Sequence, residues 1–202
     1  MKSHLETREA AYRDTISHGR MKMLLILLAC AAPVIASYAS FYFFKPDGRI
    51  NHGTLIEPVR PLPDVPLGLL GGKPFKLSEF RGKWVLLTTD GGACGGICPD
   101  KLFKMRQVRT MQGKERDRIE RAWLITDAAP LDTLLIREYD GMKMLRAAGS
   151  PLLGEFPAPV NRADHIYLID PLGNLVLRYP RDADPMKMNK DLIRLLKYSR
   201  IG

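Results

Sequence analysis

The sequence predicts an α/β domain, a mixed β-sheet flanked by helices, preceded by one transmembrane helix. Three observations support this prediction. Residues 23–44 contain no charged side chain, strand-like and helix-like segments alternate from residue 67 onwards, and two cysteines lie where a predicted strand meets a predicted helix. Alternation of strands and helices is typical of a sheet that carries helices on its faces.

The composition agrees with one membrane helix and one ordinary domain. The chain has 202 residues, of which 46% are hydrophobic, and a formal net charge of +9. Its lysines and arginines are scattered and do not alternate with aromatic residues, so we predict no nucleic-acid partner. We assign the surplus positive charge to solvated surface, with anionic lipid headgroups or an acidic docking partner as candidates for contact.

The N-terminal segment predicts a single-pass membrane anchor. Residues 1–22 are polar and mixed in charge, and we interpret them as a short cytoplasmic tail. At about 1.5 Å per residue, residues 23–44 are long enough to span the hydrocarbon core, and Tyr38 and Tyr42 lie near the exit side, as interfacial aromatic residues do. We expect an inner membrane, with the C-terminal domain on the periplasmic or intermembrane-space side.

Two alternatives to an uncleaved anchor are a cleaved signal peptide and a lipoprotein. The tetrapeptide 27–30, which ends in Cys30, faintly resembles a lipoprotein cleavage site. A mostly apolar stretch continues after Cys30, however, and neither alternative explains it. We therefore expect the anchor to be retained, with Cys30 facing the lipid and taking no part in the chemistry.

Residues 45–66 are rich in proline and show little periodicity. They contain five prolines, so we predict an extended linker that separates the anchor from a domain at residues 67–202. His52 falls in this linker. We interpret it as a solvated side chain, with an auxiliary ligand role as the alternative.

The predicted domain begins with a hairpin around the glycine turn at residues 71–72 and ends with an amphipathic helix. Between them, apolar periodicity distinguishes strands from helices. The predicted strands after the hairpin are 83–89, 119–126, 165–168 and 175–179; the predicted helices follow residue 98 and cover 130–139, 142–148 (one or two turns) and 186–198. This order, with two cysteines directly after the central strand, is what a thioredoxin-like fold requires.

Cys94 and Cys98 lie in a glycine-rich loop before a helix that has Pro99 in its first turn. Residues four apart on a helix are neighbours, near enough to share a metal ion or to close a disulfide. A helix N-terminus favours thiolate, the form that binds soft metals and attacks disulfides. The alternative is a structural disulfide or two buried side chains. The glycines before and between the cysteines favour a working site.

His165 is the only histidine inside the predicted domain, at the start of a strand. Two thiolates and one imidazole form a trigonal set that suits copper, whereas zinc needs a fourth ligand, which is not evident. Asp164 or another acceptor would orient the ring. The alternative is a histidine that is hydrogen-bonded at the edge of a strand.

At these residues the chain resembles the Sco/SenC family, the thioredoxin-like copper proteins of cytochrome c oxidase assembly. It is similar to a divergent member, because Gly95-Gly96 stands between the cysteines where the family usually has Pro-Asp. The resemblance implies copper binding by Cys94, Cys98 and His165. The motifs that carry it are residues 75–83, the C-x-x-x-C-P of 94–99, Thr126-Asp127 with Pro130 and Asp132, and residues 164–173.

The resemblance implies a membrane-anchored metallochaperone that passes copper to a subunit of a haem–copper cytochrome c oxidase. The alternative is a thiol–disulfide reductase whose Cys94/Cys98 pair keeps the partner's copper-ligand cysteines reduced. The first is a binding protein and the second an enzyme, and the choice is left open. A peroxidase is a weaker third reading, because it needs one activated cysteine rather than a pair.

Overall fold

The computed structural model describes residues 2–43, 51–199 and 201. The chain divides into two compact units, residues 1–49 and residues 50–202. The last residue of the predicted anchor, Phe44, lies outside the described residues, as do residues 45–50 of the predicted linker.

The first unit is one helix, α1 (Lys2–Phe43), which continues through Pro33. Its segment Arg20–Tyr42 is long and apolar enough to cross a membrane, and its side chains are not buried within the structure. The apolar helix therefore supports membrane anchoring, as predicted. The predicted tail is helical and continuous with the anchor from Lys2 onwards, while its cytoplasmic location stays a prediction.

The second unit is built on one eight-stranded mixed sheet with the order β1-β8-β7-β4-β5-β6-β2-β3. Strands β4, β5 and β6 are parallel, and every other neighbouring pair is antiparallel. The strands are β1 (Thr54–Pro61), β2 (Leu67–Leu69), β3 (Pro74–Phe75), β4 (Trp84–Asp90), β5 (Ile119–Ile125), β6 (Lys143–Arg146), β7 (Ile166–Ile169) and β8 (Asn174–Tyr179).

Strand β4 lies in the middle of the sheet and is buried on both faces. Each of its residues from Trp84 to Thr89 is buried, and β5 and β7 flank it. A near-continuous apolar run is typical of a strand covered on both sides. The other α-helices of the described residues are α2 (Cys98–Met111), α3 (Thr133–Glu138) and α4 (Pro185–Tyr198). The predicted thioredoxin-like α/β fold is confirmed.

The side chains of β4 alternate between two hydrophobic clusters on opposite faces. Trp84 and Leu86 belong to the cluster that also contains the buried residues of α2 and α4. Val85 and Leu87 belong to the second cluster, with the β2–β3 hairpin and the short 3-10 helix Leu77–Phe80. The two cysteines belong to the first cluster.

The predicted linker is wrong for residues 54–61, which form strand β1. This strand pairs with β8 at the edge of the sheet, so the domain begins before residue 67. Only Ile56 of β1 is buried, which explains why the segment lacks alternation of apolar and polar residues. An edge strand has one free side, where Pro58 and Pro61 need not donate a hydrogen bond.

The predicted helical turns at residues 142–148 are also wrong, because residues 143–146 form strand β6. This strand lies parallel to β5 and antiparallel to β2. Four residues are too few for a helical and an extended pattern to be told apart. The preceding helix is shorter than the predicted 130–139: it begins at Thr133, after Asp132 caps it by accepting the N–H of Leu134 at 2.8 Å.

Candidate redox and metal site

Cys94 and Cys98 form a disulfide between the end of β4 and the start of α2. The S–S distance is 2.00 Å and the Cα atoms are 5.1 Å apart. Cys98 is the first residue of α2, followed by Pro99, and both cysteines are buried. Gly95 and Gly96 between them are exposed. The structure therefore brings the two cysteines together beneath an exposed loop.

The backbone of the loop takes a conformation that depends on its glycines. Gly96 has φ of +62°, and Cys94 has φ of 46°, a left-handed value that is uncommon outside glycine. A Cβ atom on Gly92 would stand 2.5 Å from the carbonyl oxygen of Ala129. Glycine at position 92 is needed because the loop packs directly on the backbone after β5.

Asp127 stabilises the contact between the cysteine loop and the segment after β5. Its Oδ1 accepts the N–H of Gly92 at 2.8 Å and the N–H of Ala129 at 3.1 Å. The carboxylate thus joins the cysteine loop to the segment after β5. Asp127 entered the sequence analysis only as part of a family motif; its role as a loop anchor depends on a contact between segments 35 residues apart.

Sequence reasoning missed a buried ion pair beside the disulfide. Lys101 lies on α2, one turn after Cys98, and its Nζ is 2.8 Å from Oδ2 of Asp90 at the end of β4. The lysine side chain is 1% exposed. Burial lowers the pKa of Lys101, and the hydrogen bond that the ammonium donates to Asp90 opposes that shift. The sequence does contain one sign of this burial: Lys101 lies at a position that continues the apolar stripe of Cys98, Leu102 and Met105 on the helix.

His165 lies just before β7. Because β7 is antiparallel to β4, the start of β7 lies beside the end of β4, where the cysteine loop begins. In the antiparallel register Thr88 of β4 pairs with Ile166, and Thr88 Oγ1 donates a hydrogen bond to the carbonyl oxygen of His165 at 3.1 Å. The imidazole Nδ1 lies 3.2 Å from the carbonyl oxygen of Tyr179. Burial lowers the pKa of His165, so the neutral ring is favoured.

The imidazole of His165 does not join the two sulfur atoms in this structure. Its ring centroid is 6.0 Å from that of Tyr167, whose side chain belongs to the cluster on the opposite face from the cysteines. Within residues 2–43, 51–199 and 201, no group of three or more His, Cys, Asp or Glu side chains is arranged to hold a metal ion. The three-ligand site therefore stays a prediction.

Cys30 and His52, two further residues from the sequence analysis, are not bonded to the disulfide pair. Cys30 is a free, exposed cysteine on α1. His52 precedes β1 and is exposed, as predicted, although it belongs to the second unit rather than to a linker. Its backbone N–H donates to the buried carboxylate of Asp191 at 2.8 Å.

The geometry supports two kinds of thiol chemistry. The closed disulfide can accept two electrons from a dithiol, and the reduced pair presents two sulfur atoms at a helix N-terminus, where thiolate is favoured. Two thiolates so close to each other are also suitable ligands for a soft cation such as Cu(I). The arrangement defines a thioredoxin-like protein with a dithiol site and a candidate membrane helix.

The chain belongs to the transmembrane-like, thioredoxin-like family. The family model described as "Transmembrane-like, thioredoxin-like, C-terminal domain" matches residues 84–199, which run from β4 through the cysteine pair to the end of α4. No curated protein matches the sequence.

Solved structures with the same fold include Sco proteins. Yeast Sco1 with copper bound is 20% identical, with 69% of this chain and 96% of that chain covered and a TM-score of 0.57. Apo Sco1 of Thermus thermophilus is also 20% identical, with 72% and 96% covered and a TM-score of 0.58. The Sco/SenC resemblance seen in the sequence is thus confirmed at the level of the fold, at the low identity of a divergent member.

Proteins that are proposed to act on disulfides share this fold as well. A proposed protein disulfide isomerase of Bacteroides thetaiotaomicron is 19% identical, with 72% of this chain and 94% of that chain covered and a TM-score of 0.54. The fold alone is therefore compatible with both copper binding and disulfide chemistry.

Proposed function

We propose that this protein is a membrane-anchored assembly factor for a haem–copper cytochrome c oxidase, and that it binds copper through Cys94 and Cys98. The observation that carries the proposal is the pairing of the two cysteines at the start of α2, below a loop of exposed glycines. The fold it shares with a copper-bound Sco1 supports the same reading. Copper is cargo, received and passed on rather than retained.

The donor atoms fit Cu(I). Thiolate sulfur is a soft ligand and selects Cu(I) over harder cations. The disulfide must first take up two electrons and two protons from a dithiol reductant, because only the reduced pair can bind the ion. Binding then releases the thiol protons, so copper affinity depends on pH.

His165 is the proposed third ligand. A neutral imidazole that donates its Nδ1–H to the Tyr179 carbonyl has its lone pair on Nε2, the form that can ligate copper. The segment that carries His165 leads into the start of β7, which lies beside the end of β4, where the cysteine loop begins. Ligation requires Nε2 of His165 and the two sulfur atoms to be directed at one copper ion.

The copper-receiving partner is a subunit of the oxidase in the same membrane. An anchored donor and an anchored acceptor meet at a higher effective concentration than two freely diffusing proteins do. Transfer proceeds by exchange of ligands, in which the acceptor's side chains replace Cys94 and Cys98 one at a time.

Thiol–disulfide exchange is the second candidate, and two observations favour it. The cysteines are joined in a disulfide, and the ring of His165 contacts that of Tyr167, while no three-ligand group that could hold a metal ion forms among the described residues. In this reaction one thiolate of the reduced pair attacks the partner's disulfide and releases one partner thiolate. The other cysteine then attacks the mixed disulfide, so two electrons pass to the partner, which is left as a dithiol.

A competition titration of Cu(I) into the reduced full-length protein in detergent tests the proposal. We expect the wild type to bind one copper ion, and Cys94→Ser and Cys98→Ser each to lose most of that affinity, because a hydroxyl is a poor ligand for a soft ion. Cys30→Ser is the matched control and should bind as the wild type does. A wild type without copper affinity, but with a disulfide that exchanges with a partner peptide, would instead establish the reductase.

A further inference from the structure

Lys101 is a buried cation beside the disulfide that the proposed function does not use. Its Nζ donates to the Asp90 carboxylate at 2.8 Å, to the carbonyl oxygen of Thr89 at 3.2 Å and to the carbonyl oxygen of Ala163. An ammonium group has three protons, and these three acceptors satisfy all of them. The three hydrogen bonds therefore fix the position of the ammonium group.

The acceptors come from the segments that surround the cysteine pair. Thr89 and Asp90 end β4, immediately before the glycine loop, and Ala163 lies in the 3-10 helix Arg162–Asp164 that leads into His165. Lys101 itself lies on α2, three residues after Cys98. One side chain thus connects the strand before Cys94, the helix that begins at Cys98 and the segment before His165.

Asp90 is fixed independently of the lysine. Its Oδ1 accepts the N–H of Gly91 at 2.9 Å, and its carbonyl oxygen accepts the N–H of Thr126 at 3.0 Å. The indole N–H of Trp123 donates to the same carbonyl at 3.3 Å. These hydrogen bonds hold Asp90 in place without Lys101. The ion pair between Lys101 and Asp90 then connects the first turn of α2 to the end of β4.

We propose that Lys101, through its ion pair with Asp90, is the positioning residue that keeps Cys94 and Cys98 together when the disulfide is open. This inference rests on the proposed function, in which the reduced pair is the working form. A buried ion pair is weak evidence for stability, because removing both charges from water costs about what their attraction returns. Its geometric effect, a fixed register between β4 and α2, is what serves the site.

The positioning has a measurable consequence. The tendency of two thiols to close a disulfide reflects their effective concentration, which falls when the elements that carry them move apart. In exchange with dithiothreitol, the Cys94–Cys98 bond breaks and a cyclic disulfide forms in the reagent, with two electrons and two protons passing to the protein. Without the ion pair, the reduced state gains freedom and the equilibrium favours the open dithiol.

The test is a redox equilibrium of the full-length protein in detergent with dithiothreitol buffers. A Cys30→Ser background leaves the pair as the only thiols. Repeating the equilibrium at pH values from about 5 to about 8 separates an effect of the lysine charge on thiolate, which changes with pH, from an effect on the distance between the cysteines, which does not. The paired variant Lys101→Met with Asp90→Asn removes both charges without changing the net charge. The matched control, Lys104→Met with Asp100→Asn, removes the neighbouring i,i+4 pair of the same helix, whose aspartate is half exposed.

We expect the equilibrium constant for disulfide formation to fall roughly tenfold in the Lys101/Asp90 variant and less than about twofold in the control. An unchanged constant overturns the inference. If the variant does not fold, Asp90→Asn alone, which keeps the ammonium and its two carbonyl acceptors, should show a smaller fall in the same direction, and no fall overturns the inference. The assay needs no copper, so failure of the copper titration in the wild type would reject the proposed function separately.

Discussion

Nδ1 of His165 lies 3.2 Å from the carbonyl oxygen of Tyr179, on the strand that pairs with the one His165 precedes. A carbonyl oxygen can only accept, so the ring must carry its proton on Nδ1, and Nε2 is left with the lone pair. The tautomer therefore leaves Nε2 able to accept a proton or to bind a metal ion.

Substitution of His165 tests whether this ring completes the copper site. We expect His165→Ala to weaken Cu(I) binding at least tenfold, about 1.4 kcal/mol, because one of three ligands is lost. The measurement is the competition titration described above, with His52→Ala as the matched control. Equal affinity in the wild type and His165→Ala would exclude the imidazole and leave a site of two thiolates.

The redox state of the cysteines can be checked by thiol counting. We expect metal-free protein purified under air to have one reactive thiol, Cys30, and three after reduction and unfolding, because Cys94 and Cys98 are joined. Mass spectrometry after alkylation with and without reductant gives both counts. Free Cys94 and Cys98 under air, or a bridge from Cys30 to either, would contradict the expectation.

The loop glycines differ in how much space surrounds them, which gives a matched pair of variants. Gly92→Ala places a methyl group 2.5 Å from a backbone oxygen that cannot turn aside, whereas nothing lies within 4 Å of the same atom at Gly95. We expect Gly92→Ala to lower the free energy of unfolding by about 2 kcal/mol and Gly95→Ala to change it by less than about 0.5 kcal/mol. Urea unfolding in detergent measures both, and equal stabilities would refute the close contact.

Tyr167 should give the protein a late alkaline transition. Burial raises the pKa of Tyr167 to about 12, and its hydroxyl donates to the carbonyl oxygen of Pro157 at 3.1 Å. Because the folded pKa lies above the ordinary value near 10, the neutral phenol contributes stability in full below about pH 10, and this contribution is lost as the pH rises towards 12.

Phenolate absorbance measured against pH tests this assignment. We expect Tyr167→Phe to remove a component with a midpoint near pH 12 from the absorbance curve. Tyr198→Phe, which removes an exposed phenol, is the matched control and should leave that component in place. If Tyr167→Phe leaves the high-pH part of the curve unchanged, the assignment fails.

The direction of the membrane helix is a prediction from sequence. We expect a reporter fused after Gly202 to be active on the non-cytoplasmic side, and one fused after Gly19, before the span Arg20–Tyr42, to be active in the cytoplasm. The pair of fusions controls for expression. A cytoplasmic C-terminus, or a mature protein that begins at Cys30, would contradict the predicted anchor.

Features that depend on neighbouring residues were predictable from the sequence. Cys94 and Cys98 are close because they are only four residues apart in one short loop, although Cys94 lies before α2 and not on it as predicted. The double burial of β4 follows from its continuous apolar run. The apolar segment 23–44 likewise indicated a membrane helix without knowledge of any other part of the chain. In each case the physical cause lies within one turn, one strand or one helix.

Features that depend on distant segments were decided only by the tertiary structure. Strand β1 exists because β8, more than a hundred residues later, supplies its hydrogen bonds, and nothing in its proline-rich composition indicates that pairing. The burial of Lys101 depends on the carbonyl oxygen of Ala163, 62 residues away. The contact between the rings of His165 and Tyr167 likewise depends on how the chain enters β7. Sequence by itself determined the cysteine pair, the apolar helix and the central strand β4, because each depends on residues that are close together in the chain. The groups that surround that pair were determined only by the tertiary structure. Contacts between strands depend on their register and on the face of the sheet to which each side chain belongs.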